Sequence, residues 1–250
     1  MPYFTLVLAA VIALSFSAPL WSFSVEPSEN DSMAQAVVTQ RIVYGATINT
    51  LTARRTRDGA VLWTRRGVGL PLAANESVVV ASTSLGFAVL TPSGRVRYRR
   101  SPCSESRPPA YVAVNDLTAA VLCRTTDPPY NLMKAHFFSL ATGTDERVRD
   151  SLLYSPRLPA FGVLLEGDRY GVVSTVAGGA SMSESLQALD LRSMSVVDTT
   201  SSEDQVIARA RAATSGCARW KPVSGIQRYR VVVCGGYGFT LRVSVFDISH

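Results

Sequence analysis

One short phrase recurs along the chain and constrains its fold more than any other feature. The two clearest copies follow an apolar strand, cross a turn of small polar residues and glycine, and end on a run that closes with an aromatic residue. Residues 53–63 read ARRTRDGAVLW and residues 88–98 read AVLTPSGRVRY. Weaker copies begin at residues 137, 188 and 245, so successive starts lie 35, 49, 51 and 57 residues apart. Recurrence on this scale indicates a repeat architecture.

The residues between the phrases supply further strands. Short Val-, Ala- and Leu-rich runs at residues 78–80 and 119–122 follow polar turns at residues 75–77 and 115–116, and such runs with turn punctuation are typical of strands. About four short strands fit each step, which is the size of one propeller blade. The sequence therefore predicts an all-β β-propeller of about five degenerate blades. A β-sandwich also has closely spaced strands, but repetition in register favours the propeller.

The N-terminal region is strongly apolar. Residues 4–21 contain almost no polar side chain, and no Lys or Arg precedes Arg41. Small residues at two places suit signal peptidase, so we predict a cleaved signal peptide over residues 1–24, with a retained signal anchor as the alternative. Residues 25–36 are predicted to be a flexible lead-in. The propeller is expected over residues 37–250, truncated at its C-terminus if the fifth phrase is incomplete.

Four cysteines agree with an oxidising compartment such as the endoplasmic reticulum lumen, the bacterial periplasm or the exterior. They occupy matching places around strands of the third and fifth units, which predicts the pairs Cys103–Cys123 and Cys217–Cys234, one of three connectivities. A zinc site is disfavoured because the chain has no CxxC spacing and only two His.

Two sequons make the chain a candidate glycoprotein. They begin at Asn30 and Asn75, and such asparagines accept N-glycans in a eukaryotic secretory pathway. Asn75 lies in a predicted turn, where a glycan would be tolerated.

The net charge of +6 comes almost entirely from arginine, since Lys134 and Lys221 are the only lysines. Residues 41–100 hold ten arginines against two acids. A basic field attracts nucleic acid or anionic lipid. However, three of these arginines alternate with Val96 and Tyr98, as on the exposed side of an outer strand. We predict no nucleic-acid partner, and an acidic protein or a membrane surface remains an open alternative.

Residues with catalytic chemistry are few. His136 lies in an apolar run and is predicted to be half-buried, with its polar atoms satisfied. Residues 235–238 read GGYG but lack the strand-to-helix context of a phosphate loop, so a hairpin turn is predicted. Acid pairs at residues 145–146 and 203–204 are expected in exposed turns. Residues 199–213 are expected to form an insertion between blades with a short helix, or else a solvated loop. The sequence predicts no catalytic, cofactor-binding or metal-binding residue, hence a non-enzymatic protein without a cofactor.

The repeat phrase resembles the quinoprotein (PQQ-like) β-propeller repeat, in which a pattern of Ala, Asp, Thr-Gly and Trp locks neighbouring blades together. The first copy departs from that pattern, because Arg55 and Asp58 stand where Asp and Thr are usual. The chain also lacks the adjacent cysteines of the family's enzymes, so a quinone-dependent dehydrogenase is the least favoured reading. The resemblance implies blade-docking roles for Ala53, Gly59, Trp63, Ala88, Gly94 and Tyr98.

Within that repeat family, residues 49–65 and the LQAL segment at residues 186–189 resemble the lumenal propeller of the subunit 1 family of the endoplasmic reticulum membrane protein complex. The resemblance implies a lumenal scaffold whose partners are proteins, including subunits of a membrane-embedded complex. Membrane contact would be indirect or through a retained anchor. The alternative is a free-standing bacterial periplasmic or exported propeller that binds other proteins.

Overall fold

The computed structural model describes residues 19–25, 36–47, 49–103, 111–124, 131–154, 161–164, 169–178, 181–198, 229–234 and 241–247. Over these ranges the regular elements are nineteen strands, which form five antiparallel sheets. None of the described segments is a helix with the length and hydropathy of a membrane span.

Strand β1 (Trp21–Val25) is followed by four sheets, each built from four consecutive strands. Blade 1 contains β2 (Ala36–Val38), β3 (Ile42–Thr47), β4 (Thr50–Arg55) and β5 (Val61–Arg66). Blade 2 contains β6 (Pro71–Ala74), β7 (Val79–Thr83), β8 (Gly86–Leu90) and β9 (Val96–Arg100). Blade 3 contains β10 (Tyr111–Val114), β11 (Thr118–Arg124), β12 (Asn131–Ser139) and β13 (Asp145–Tyr154). Blade 4 contains β14 (Phe161–Leu164), β15 (Arg169–Gly178), β16 (Ser181–Asp190) and β17 (Ser195–Asp198).

Blade 5 joins the two ends of the chain. Strands β18 (Tyr229–Cys234) and β19 (Leu241–Asp247) pair with each other, and β1 pairs with β19 from Trp21 opposite Val245 to Val25 opposite Leu241. Next to this blade, β18 contacts β2, β2 contacts β6, and β6 contacts β10. The sheets therefore stand side by side as the blades of a β-propeller, and β1 supplies the outermost strand of the last one.

The position of β1 differs from two predicted boundaries. The predicted signal peptide includes residues 21–24 and the predicted propeller starts at residue 37, but Trp21–Val25 is a propeller strand and Ala36 begins β2. The cause is compositional: residues 21–25 read WSFSV, which alternates large and small residues as a strand does, directly after an apolar run that hides the alternation. Residues 1–18 and 26–35 lie outside the described ranges.

Each recurring phrase corresponds to the third strand of a blade and the turn after it. The five phrase starts lie in β4, β8, β12, β16 and β19, at Ala53, Ala88, Phe137, Ala188 and Val245. In blade 5 the outer strand next to β19 is β1, which precedes blade 1 in the sequence.

The hydrophobic core lies between the blades. In β8 every residue is buried, because Phe87 and Val89 pack toward blade 3 while Ala88 and Leu90 pack toward blade 1. A sheet that is covered on both faces has continuous apolar strands instead of alternating ones. This packing explains the uninterrupted apolar run at the start of the second phrase, whereas buried and partly buried residues alternate in β4 of blade 1.

A disulfide bond joins Cys103, which follows β9, to Cys123 in β11, with the two Cα atoms 5.1 Å apart. It links blade 2 to blade 3 and lies in the cluster of buried side chains between them. Cys234 lies in β18, whereas Cys217 lies outside the described residues, so the second pairing stays a prediction. Asn30, the acid pair at residues 203–204, the segment 199–213 and the turn at residues 235–238 also lie outside them.

We expect that replacing Cys103 and Cys123 together with alanine lowers the free energy of unfolding by about 3 kcal/mol. The reason is that a cross-link over some twenty residues restricts the unfolded chain by about that amount in the chain-entropy model. Urea unfolding of the double variant beside the unreduced parent measures the change. An unchanged midpoint would show that the blade 2–blade 3 contact does not depend on the cross-link.

Candidate functional site

The turn between the third and fourth strands has the same construction in blades 1, 2 and 3. In each, the pairing register shifts just after the turn, so that the fourth strand carries one extra residue: Leu62, Arg97 or Glu146. A bulge of this kind bends the strand and redirects the next side chain. The next residues are Trp63, Tyr98 and Arg147, which all point to the following blade.

Trp63 contacts the turn of blade 2. Its Nε1 donates to the carbonyl oxygen of Pro92 at 2.7 Å, and its ring lies flat against Gly94, where a Cβ atom would come within 2.9 Å of Cδ2 of the ring. Gly94 also has φ +84°, a conformation that glycine adopts without strain. The turn therefore needs glycine for two reasons, backbone conformation and contact with the ring.

The same contact recurs at two other seams. The Tyr98 hydroxyl donates to Ser139 O at 3.1 Å, and the ring covers Gly143. Between blade 5 and blade 1, Trp21 Nε1 donates to Thr56 O at 2.7 Å, and the Trp21 ring covers Gly59. In both cases a Cβ on the glycine would lie under 3.0 Å from the ring. An aromatic residue of one blade thus rests on the glycine turn of the next, through three successive pairs of blades.

A guanidinium group accompanies each aromatic contact. Each of the three glycine carbonyl oxygens accepts a hydrogen bond from an arginine, and charge-assisted bonds of this kind are stronger than neutral ones. Between blades 5 and 1, Cζ of Arg54 also lies over the ring of Phe23, 5.0 Å from its centroid. The three bonds run from Arg54 Nη1 to Gly59 at 3.2 Å, from Arg65 Nη1 to Gly94 at 3.1 Å and from Arg100 Nε to Gly143 at 2.6 Å.

Four of the six predicted docking residues form the contacts between blades, and the other two lie in the core. Gly59, Trp63, Gly94 and Tyr98 form the contacts above, but Gly59 meets Trp21 instead of the tryptophan of its own phrase. Ala53 and Ala88 are fully buried in the core between blades 1 and 2 and take no part in the aromatic–glycine contacts. Sequence reasoning missed Trp21 and did not assign Gly143 to docking, although Gly143 stands in the turn of the third phrase.

Blade 4 keeps the turn with other residues. Met194 has φ +53° at the place where the other turns have glycine, and Arg147 occupies the aromatic position of blade 3. The guanidinium of Arg147 donates through Nη1 to Ser193 O at 3.2 Å. The degenerate fourth phrase therefore preserves the geometry of the contact without its usual residue types.

All these turns lie at one end of the blades, together with the turns between first and second strands. We call this end of blades 1–3 the turn face; it comprises residues 39–41, 56–60, 75–78, 91–95, 115–117 and 140–144. Side chains join neighbouring turns across it. The backbone N–H of Gln40 donates to Glu76 Oε1 at 2.7 Å, and Asn75 Nδ2 donates to Asn115 O at 2.6 Å.

The bonding of Asn75 opposes its predicted role as a glycan acceptor. Its Oδ1 accepts from the N–H groups of Ser77 and Val78, both at 2.8 Å, while its half-buried Nδ2 holds the next blade through Asn115. A sugar on Nδ2 would occupy space between two turns. We therefore expect Asn75 to carry no glycan in the folded protein.

Two ionisable groups are held by their surroundings. The amide N–H of Ala60 is the largest influence that lowers the pKa of Asp58, and the guanidinium groups of Arg55 and Arg57 add to it. Burial raises the pKa of Tyr44 far above its usual value, so this phenol stays neutral. The ring of Tyr44 packs 6.0 Å from that of Trp63, centroid to centroid.

His136 is half-buried and paired with a carboxylate, as the sequence predicted for its polar atoms. Its side chain is 13% exposed, its Nδ1 lies 3.0 Å from Asp145 Oδ2, and its ring stacks on Phe138. The acid pair at residues 145–146 is exposed as predicted, but it begins β13 instead of lying in a turn, and Asp145 binds this histidine. Over the described ranges, His, Cys, Asp and Glu side chains form no group of three or more that could hold a metal ion.

Comparison with known proteins describes the fold alone. No family model and no curated protein matches the sequence. Similar solved structures include BamB from Moraxella catarrhalis, with a TM-score of 0.42 and 11% identity over 93% of this chain and 91% of that one. Sqt1 from Saccharomyces cerevisiae has a TM-score of 0.44 and 10% identity over 92% of this chain and 59% of that one. At these scores neither likeness bears on function.

Proposed function

We propose that this protein is a non-enzymatic scaffold that presents its turn face to protein partners. One observation carries the proposal: aromatic–glycine contacts between successive blades, together with the Gln40–Glu76 and Asn75–Asn115 bonds, fix the turns of blades 1–3 relative to one another. A surface that is rigid before binding loses little conformational entropy on association. Such a surface suits recognition of a folded or extended partner.

We further propose that the protein works in the endoplasmic reticulum lumen, with subunits of a membrane-embedded complex as its partners. The Cys103–Cys123 disulfide supports an oxidising compartment. The choice of the endoplasmic reticulum over the bacterial periplasm rests on the resemblance of residues 49–65 and 186–189 to the lumenal subunit family.

Cross-linking of the full chain in intact cells, followed by purification from detergent-solubilised membranes, tests the scaffold. Stable recovery with membrane-protein subunits is the expected result. A chain that fractionates alone, without cross-linked partners, contradicts the proposal. A rise in melting temperature with pyrroloquinoline quinone and Ca²⁺ would contradict the non-enzymatic part, because a bound ligand stabilises the folded state.

The compartment can be tested by thiol trapping. Cells are treated with a membrane-permeant alkylating agent before lysis, and peptides containing Cys103 and Cys123 are analysed without reduction. We expect a disulfide-linked peptide pair, because the bond forms in oxidising compartments and the cytosol keeps thiols reduced. Alkylated Cys103 and Cys123 would place the protein in a reducing compartment.

A further inference from the structure

The turn face of blades 1 and 2 carries a set of exposed arginines. Arg41 lies in the first turn of blade 1, Arg57 in its second turn, and Arg95 in the second turn of blade 2. The Arg97 guanidinium reaches the same face through a 3.4 Å contact from Nη2 to Ser77 O. In the described part of the chain, the side chains of Arg41 and Arg95 make no hydrogen bond or ion pair.

Backbone and side-chain bonds make this surface continuous. The N–H of Thr56 donates to Arg41 O at 2.9 Å, so Arg41 and Arg57 belong to adjoining turns. Gln40, beside Arg41, donates to Glu76 of blade 2, and Glu76 precedes Ser77, which Arg97 contacts. The four arginines therefore share one surface that crosses the seam between blades 1 and 2.

The acids on this surface are already engaged. Asp58 accepts from Arg55 at 2.8 Å, from the N–H of Ala60 at 3.1 Å and, at the longer distance of 3.4 Å, from Nε of Arg57. Glu76 accepts from the N–H of Gln40. Neither carboxylate approaches Arg41 or Arg95 within bonding distance. The surface consequently has an excess of positive charge and guanidinium N–H groups that are not used within it.

An exposed apolar side chain adjoins the basic surface. Leu117, in the first turn of blade 3, is 75% exposed, and its turn is held to that of blade 2 by the Asn75–Asn115 bond. Interfaces commonly combine an apolar contact with charged residues around it. The neighbouring residue Asp116 is an exposed acid, so the positively charged surface does not extend into the turn of blade 3.

We propose that the basic turn face of blades 1 and 2 binds an acidic segment of a protein partner, with Leu117 as its apolar contact. This inference rests on the scaffold function proposed above and names the chemistry of the partner. Guanidinium groups bind carboxylates in a bidentate geometry. A membrane surface fits less well, because apolar side chains that insert between lipids anchor such contacts. Among the turn-face residues Leu117 is the one strongly exposed large apolar side chain, and the nearest others, Val61 and Leu62, lie in the outer strand β5.

A matched pair of variants tests the proposal in the full chain. Arg41→Gln/Arg95→Gln removes two charges from the turn face. Arg66→Gln/Arg99→Gln removes two exposed charges from the opposite end, where Gly67 N–H donates to Asn49 O and Ser101 Oγ donates to Leu85 O. The probe is a fluorescent glutamate-rich peptide with one leucine, measured by anisotropy, beside vesicles with and without phosphatidylserine.

The expected result is a dissociation constant about tenfold higher for the turn-face variant and less than about twofold higher for the opposite-end variant, with a strong dependence on salt. Leu117→Ser should weaken binding without changing the salt dependence. Equal losses in the two arginine variants would show unspecific attraction and overturn the inference. So would no peptide binding, or turn-face binding to phosphatidylserine vesicles but not to the peptide. In each of these outcomes, protein partners recovered by cross-linking would still support the proposed scaffold function.

Discussion

Replacing Trp21 with alanine in the full chain is expected to lower the free energy of unfolding by about 4 kcal/mol, within the usual range for removal of a packed tryptophan. The indole covers Gly59 and its Nε1 donates to Thr56 O. These contacts hold β1, which pairs with β19, to blade 1. Loss of the side chain therefore weakens both the seam and the closure of the ring. Urea unfolding, followed by far-ultraviolet circular dichroism, measures the effect.

The neighbouring residue provides the control for this substitution. Leu20 is 49% exposed, and Leu20→Ala should change the stability by less than about 0.5 kcal/mol, as most exposed positions do. Trp21→Phe keeps a ring on Gly59 and loses one hydrogen bond, for which we expect about 1 kcal/mol. If Trp21→Ala behaves like Leu20→Ala, β1 does not close the ring.

Replacing Gly94 with alanine should also cost about 4 kcal/mol. A left-handed backbone conformation costs an L-residue about 1–2 kcal/mol, and an added methyl group in a packed contact costs about 1–3 kcal/mol more. Here φ is +84° and the new Cβ would meet the Trp63 ring at 2.9 Å. Chemical unfolding of the purified variant gives the loss directly.

Gly67 separates the two contributions. It has φ +74°, and a Cβ atom added to it would meet no other atom within 4 Å, so Gly67→Ala should cost only the backbone part, about 1–2 kcal/mol. The difference between the two glycine variants then reports the ring contact. In Trp63→Ala/Gly94→Ala the methyl group no longer meets the indole, so the double change should cost less than the sum of the single ones. Strict additivity would mean that Trp63 and Gly94 do not touch.

The blade architecture could be predicted because it is local in sequence. Third strand, turn and fourth strand follow one another within residues 53–63 and 88–98, and the structure shows the same order. The docking partners could not be assigned in this way. Gly59 and Trp63 stand in one phrase, yet Trp63 binds the turn of the next blade and Gly59 receives Trp21 of the previous one. Contacts between blades join residues from different repeats, and the phrase itself does not encode them.

Two other residues show why the neighbouring blade and the folded backbone matter. Met194 was not recognisable as the equivalent of a turn glycine, because positive φ is a property of the folded backbone and methionine rarely adopts it. Asn75 matched a glycan sequon, but the same amide satisfies the N–H groups of its own turn and a carbonyl of the next blade. From the sequence alone, an asparagine in a turn is equally compatible with carrying a glycan and with bonding to a neighbouring turn. The bond to Asn115 of the next blade becomes visible only in the structure.

The pairing of β1 with β19 also determines the order in which the protein can be completed during synthesis. Strand β1 is synthesised long before its partner β19, because Trp21 pairs with Val245. Blades 1 to 4 use consecutive strands and can form as the chain emerges, whereas the final blade depends on a contact that spans almost the whole sequence. Long-range pairing of this kind is slow. Until it forms, β1 lacks its partner strand β19.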